Sequence, residues 1–177
     1  MICSNDGKIG IRAVEKSDLN LLQGWRNNIF FRRYFREYRE LSMTQKENWY
    51  NKMIQDDKNE FFMITDCEKN KDVGIAGLTY IDWVNRRADI HFYIGDNDVW
   101  IDDNYAPRAL PLVLTYGFWD LNLHKLFAEM WEIDTKKIKL FNSFGFKQEA
   151  ELREHYFYQG KYHKSYILGL LRSECEK

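Results

Sequence analysis

In the run "ADIHFYI" strand alternation sets Asp89, His91 and Tyr93 on one face and Ala88, Ile90 and Phe92 on the other. The first face is suited to proton chemistry. His91 has an ordinary pKa of about 6.5 and exchanges a proton near neutrality, and Asp89 can do so through a water. A strand histidine hydrogen-bonded inside a sheet has the same spacing, so the pattern leaves both readings open. Glu129, two residues before Trp131 in "KLFAEMW", is a third proton acceptor, with an ordinary salt bridge as its alternative. His124 in "LNLHKL" reads as structural. His155 and His163, which flank "YQGK", read as solvated.

A second pattern concerns anions. "WRNNIFFRRYFREYREL" carries Arg26, Arg32, Arg33, Arg36 and Arg39 among aromatic residues from Trp25 to Tyr38. Arginine pairs with phosphate through two parallel hydrogen bonds and stacks on bases, so the stretch suits a wall for a phosphate-bearing small molecule. Its plain alternative is an amphipathic helix and loop with solvated arginines. It argues against a polyamine, which would want carboxylates.

"GDNDVWIDDNYAPRAL" has the opposite character. It places Asp96, Asp98, Asp102 and Asp103 just ahead of an apolar helix, at the free amides that would otherwise attract an anion. Two unit charges 4 Å apart interact by about 1 kcal/mol in water and about 4 at an effective dielectric of ~20, so the direction of these carboxylates decides whether an anion is admitted. Asp103 or Asn104 is the expected N-cap, Pro107 offers no N–H, and Arg108 restores a positive charge. As a calcium loop the run fails, with Ile101 where a glycine is needed and Pro107 where a glutamate is needed; no metal is expected.

These residues need a scaffold, and its elements are legible. "KIGIRAV" alternates as a first strand. Ser17 or Asp18 caps a helix with Leu19, Leu22 and Trp25 on one face, and Thr44 with Glu47 makes a capping box for a second, striped by Trp49, Tyr50 and Met53. "EFFMIT", "VGIAGLTYI" and "ADIHFYI" suit an antiparallel meander. A helix from about Tyr105 to Asp120 has little polar face and should lie buried against a sheet. "KLFAEMW" is then a strand, "DTKKIKLFNSF" a helix stopping at Gly145, and "FKQEAEL" and "SYILGLL" two closing strands. The expected class is α/β, or α+β with a mixed sheet, containing one parallel crossover in the middle.

The totals suit one domain over residues 1–177. A net charge of −1 gives no global pull toward nucleic acid or an acidic membrane, so any charge argument must be local. Cys3, Cys67 and Cys175 show no ligand or disulfide spacing, which fits a reducing cytoplasm. No stretch has the roughly 18 apolar residues of a membrane span, and "MICSNDGKIG" has no signal-peptide pattern; a soluble, unprocessed protein is expected.

The stretches "GIRAVEKSDL", "VGIAGLTYIDWVNRRADIHFYIG", "APRALPLVLTYGFWDLNLHKLFAEMWEID", "IKLFNSFGFKQEAELRE" and "YQGKYHKSY" together resemble the GCN5-related N-acetyltransferase (GNAT) superfamily over nearly the whole chain. Within it they most resemble the branch of ribosomal-protein, spermidine and nucleotide-amino-sugar N-acetyltransferases. The resemblance implies a mostly antiparallel sheet with about four helices, in which strands 88–94 and 125–131 splay apart as a parallel pair. It implies acetyl-CoA in the gap, its pyrophosphate on the amino end of the intervening helix, and an amine acceptor arriving from the other side. On that basis Phe92, Tyr93, Ile94, Asn104, Tyr105, Ala106, Arg108 and Asp134 are the expected cofactor-binding residues. Trp25, Arg26, Arg36 and Tyr38 are expected at the acceptor, with the base drawn from His91, Asp89 and Glu129.

Three departures from the family pattern bear on chemistry. Aligned on "YAPRAL", Ile101 and Asn104 replace the loop's Arg/Gln and first Gly, and only Ala106 fits well. Asp134 replaces a common Asn. Phe141 stands where many members carry a tyrosine that protonates the departing thiolate, and it has no proton to give. The implied activity is acetyl transfer to a primary amine of a small molecule, an amino sugar ahead of a protein amino terminus, by a monomer or homodimer with no nucleic-acid or membrane partner. Its rivals are a binding module that keeps the fold without catalysis, and a single-stranded nucleic-acid binder, which predicts strong salt dependence.

Overall fold

The structure is a computed structural model that describes residues 1–37 and 39–175. A short strand β1 (Ile2–Cys3) precedes the expected first strand β2 (Ile9–Ala13), on which it pairs. The meander follows as β3 (Glu60–Asp66), β4 (Lys71–Asp82) and β5 (Arg87–Ile94). After α3 come β6 (Lys125–Trp131), β7 (Lys147–Tyr158) and β8 (Lys161–Leu171), the last two longer than "FKQEAEL" and "SYILGLL" suggest. One sheet runs β1-β2-β3-β4-β5-β6-β8-β7, antiparallel throughout except at β5–β6. The expected mixed α/β class with one parallel crossover is what forms.

That parallel pairing is brief: Arg87 faces Lys125, Ala88 faces Leu126 and Asp89 faces Phe127. Beyond it β5 stays with β4 as far as Ile94, while β6 stays with β8 as far as Trp131. The two central strands therefore part, leaving a V-shaped gap with unpaired inner edges.

Helix α1 (Leu19–Asn27) buries Leu19, Leu22 and Trp25. Asp18 does not cap it. Its carboxylate accepts both arms of the Arg12 guanidinium at 2.8 Å and the Glu15 N–H at 2.8 Å, a stronger set of charge-assisted partners. Helix α2 (Met43–Met53) begins two residues earlier than Thr44 suggests, with Ser42 and Gln45 making the reciprocal box. Helix α3 (Ala106–Thr115) is buried at Ala106, Ala109, Leu110, Leu112, Val113 and Leu114, then widens into a π turn over Tyr116–Asp120 instead of running as one α-helix. Helix α4 (Thr135–Ser143) ends at Gly145, whose φ of +87° is the left-handed conformation that closes a helix C-terminus.

Candidate functional site

The unpaired edge of β5 carries the first functional geometry. The Gly95 N–H points to β4, donating to the Val73 carbonyl at 2.9 Å, and the Ile94 N–H points the other way, into the gap. Strand alternation puts the Phe92 N–H on that same edge. The Ile94 amide is engaged, donating to the Trp100 carbonyl at 2.8 Å. The Trp100 indole lies between Tyr93 and Tyr34, stacked 4.9 Å from one at 8° and 4.8 Å from the other at 14°. Its Nε1–H donates to Asp134 at 2.8 Å, so Trp100 ties β5 to the start of α4 across the mouth of the gap. Asp134 also accepts the Lys137 N–H at 3.4 Å as the N-cap of α4.

On the acceptor side of β5 lies a cavity of about 590 Å³. Asp89, His91 and Tyr93 face it, as the alternation requires, and residues of α1, α2 and their connection form its far wall. Arg36 reaches over the splay and donates to Glu129 on β6 at 2.8 Å and to Asp89 on β5 at 3.5 Å. Glu129 is further engaged by Ser165 Oγ at 3.0 Å and by His155 at 3.2 Å.

The electrostatics separates the three proton acceptors. Burial pushes Asp89 up to about 6, against the opposing pull of Arg36 and Lys137. His91 is pushed down to about 3 by desolvation and by the nearby Lys137, Lys46, Arg26 and Arg36, so its imidazole is neutral at ordinary pH and resists taking a proton. Glu129 is the ion-pair partner that its spacing allowed. Removing the cation from this cluster has a definite sign. Arg36→Met is expected to raise Asp89 further and shift the acid limb of the kcat/KM profile to higher pH, checked by a pH–rate series.

The start of α3 is organised differently from expectation. Asp102 turns back onto it, one oxygen accepting the Ala106 N–H at 2.8 Å and the other the Tyr105 N–H at 2.9 Å. Neither Asp103 nor Asn104 caps the helix, and both are exposed. The charge of Arg108 is directed at Asp6, 3.8 Å away, and away from the helix start. Asp96 pairs with Lys71 at 2.5 Å, and Asp98 accepts from Asn28 at 2.5 Å.

Comparison with known proteins decides the family. Residues 8–147 match the acetyltransferase (GNAT) domain model. The chain belongs to the GNAT acetyltransferases. It is 28% identical to a spermidine N(1)-acetyltransferase of Vibrio cholerae over 96% of each chain. It is 30% identical to that of Escherichia coli K12 over 87% of this chain and 81% of the relative. A crystal structure of the Vibrio cholerae spermidine N-acetyltransferase with CoA and spermine superposes with a TM-score of 0.86 at 27% identity, covering 94% of this chain and 97% of that one. This GNAT protein is an N-acetyltransferase that uses acetyl-CoA and acts on a small-molecule amine.

Acetyl-CoA supplies an acetyl thioester, and the residues present fit its arm better than its diphosphate. The gap and the edge amide of Phe92 suit a narrow polar chain, while the Ile94 amide is taken by Trp100. At the amino end of α3, where the family resemblance puts the diphosphate, the enzyme's own Asp102 holds two amides. Phe92 turns its side chain away from the gap, against Phe141, and Tyr93 serves as the base of the Trp100 stack. Asp134 is occupied by Trp100. Ala106 is buried, and the Tyr105 hydroxyl donates to Asp66 at 2.9 Å.

Of the expected acceptor residues, Arg26 and Arg36 line the cavity. Trp25 does not; its indole packs on Gly95, where a Cβ would overlap the ring, and edge-on to Tyr93. Tyr38 lies outside the described residues. The other arginines do not build a phosphate wall: Arg32 pairs with Glu40 at 2.9 Å, Arg33 donates to the Tyr34 hydroxyl, and Arg39 pairs with Glu37 at 2.6 Å. His163 is not solvated but sits 2.7 Å from Glu132 and stacks on Tyr156. Trp100 and Lys46 are among the lining residues that the sequence did not single out. Trp100 was hidden in an acidic loop, while Lys46 was signalled by its position three residues before Trp49 on an otherwise apolar stripe.

Proposed function

We propose that this enzyme acetylates the primary amine of an amino sugar, or of a nucleotide amino sugar, bound in the cavity beside Asp89 and His91. The observation that carries the reading is the cavity's position: it reaches the splay between β5 and β6, where Asp89, a buried carboxylate of raised pKa, stands on β5. Direct transfer needs a neutral amine, a polarised carbonyl and a route for the proton. Asp89 takes the proton from the acceptor, directly or through a water. Neutral His91 orients the amine as a hydrogen-bond partner, and the Phe92 amide faces the thioester carbonyl, the Ile94 amide being held by the Trp100 carbonyl. Phe141 is fully buried against Phe92 and Phe146 and has no proton to give, so sulfur leaves as its anion, which a thiol pKa of about 8.5 permits.

The amino-sugar preference rests on charge. Asp89 and Glu129 are tied to Arg36, Asp134 to Trp100 and Glu37 to Arg39, which leaves a polycation few free acids. The second reading, a polyamine acceptor, is favoured by the relatives' own names. A cytoplasmic setting is proposed from the sequence spacing of Cys3, Cys67 and Cys175, which suits no disulfide framework. The test is acetyl-CoA-dependent thiol release with glucosamine, glucosamine 6-phosphate and spermidine as acceptors. A kcat/KM for either amino sugar above that for spermidine supports the first reading. The reverse order supports the second.

A further inference from the structure

Lys46 departs from the pattern of its helix. It shares a face with Trp49, Tyr50 and Met53 and is the buried residue of α2, yet it is a lysine. Its ammonium lies 3.6 Å over the Trp49 ring, and among the described residues no carboxylate pairs with it. Arg26 lines the same cavity, its guanidinium stacked 3.6 Å over Phe35. One Arg26 nitrogen, Nη2, donates to the Glu37 carbonyl at 2.9 Å. The other, Nη1, is buried with no hydrogen-bond partner among the described residues.

None of the cavity's carboxylates bonds directly to Lys46 or Arg26, and Glu37 acts on Arg26 only from a distance. Asp89 and Glu129 are held by Arg36, Asp134 by Trp100 and the α4 backbone, Glu37 by Arg39, and Asp56 by the Lys58 N–H and the Asn59 side chain. No ion pair joins any of these five to Lys46 or Arg26. A buried ammonium without a counter-ion and an orphaned guanidinium N–H each carry a desolvation penalty, and a single oxyanion would relieve both. Burial and the neighbouring Arg26 have already driven Lys46 down to about 7, the signature of a cation lacking its anion.

We propose that Lys46 and Arg26 form a subsite for an oxyanion, a phosphate or carboxylate, carried by the amine acceptor. The subsite rests on reading the cavity as the acceptor site. It holds the acceptor by its charge while Asp89 and His91 meet its amine. Trp49, beneath the ammonium, and Phe61 in edge contact with that ring supply an apolar wall that strengthens the pairing by excluding water, and the titratable groups that share charge interactions with Lys46 are Arg26 and the neutral His91.

The probes are inorganic phosphate and acetate, titrated into lysine-labelled protein whose Lys46 signal is followed by NMR over pH. Phosphate, acetate or both are expected to raise the Lys46 midpoint saturably, the stronger of the two naming the oxyanion. Lys46→Met and Arg26→Met should each weaken that binding by about tenfold or more, equivalent to about 1.4 kcal/mol. Lys46→Met should also raise Tm, because it removes an uncompensated buried charge. A Lys46 midpoint that neither anion moves overturns the subsite. So does a Lys46→Met protein that keeps anion affinity and loses Tm, which is the result a purely structural lysine gives. Failure here is separable from failure of the acetyltransfer reading. Thiol release to glucosamine without anion binding removes the subsite alone, whereas anion binding without thiol release to any amine removes the acceptor assignment.

Discussion

Asp89→Asn is expected to lower kcat by about 10²- to 10³-fold, the range typical of removing a general base, with acetyl-CoA affinity nearly unchanged. In the native enzyme the rate should climb as pH rises through about 6, because only the ionised carboxylate accepts a proton. In the variant that limb should vanish. Stability should move the other way. The folded pKa stands above the ordinary 3.8, so between about 3.8 and 6 the folded state binds more protons than the unfolded state. The contribution of Asp89 to stability is therefore greatest below 3.8 and is lost as pH rises through 6. Asparagine mimics the neutral acid, so Asp89→Asn should gain Tm relative to the native enzyme at pH 8 and much less at pH 5. A variant that is both slower and less stable at pH 8 would mark Asp89 as a structural partner of Arg36.

Asp102→Asn is expected to tighten acetyl-CoA binding by about tenfold or more. The native carboxylate accepts the Tyr105 and Ala106 amides that a diphosphate would use at this helix end, and its charge repels one. A like-charge contact near 4 Å is worth about 1 kcal/mol in water and about 4 at an effective dielectric of ~20, which brackets the gain. Asparagine still caps a helix, so the fold should be kept. Calorimetry of both proteins with acetyl-CoA measures the difference, and weaker binding by the variant would mean that the carboxylate orders the loop for the cofactor instead of competing with it.

What the sequence shows plainly is whatever depends on local periodicity. Alternation along "ADIHFYI" faced Asp89, His91 and Tyr93 to the cavity, and the apolar density of α3 foretold its burial. The caps were less legible because neighbouring residues compete for the same amides: Ser42 displaced Thr44, and Asp102 displaced Asp103 and Asn104. Contacts across long sequence separations were not legible at all. Nothing local joins Trp100 to Asp134 or Arg36 to Glu129, and both links depend on how the sheet splays. Trp25 misled because an aromatic residue beside arginines looks like a binding wall, while its indole was needed to cover Gly95. Lys46 was passed over because lysines on helices are usually solvated.

The most direct test of the acetyl-CoA site is a calorimetric titration of the native enzyme with acetyl-CoA, repeated with 3′-dephospho-CoA and over a salt series. A single saturable site per chain, at micromolar to sub-millimolar Kd and weakening with salt, is the result expected of a gap that takes the arm while Asp102 yields at the helix start. No binding of acetyl-CoA at millimolar concentration to folded protein would contradict it.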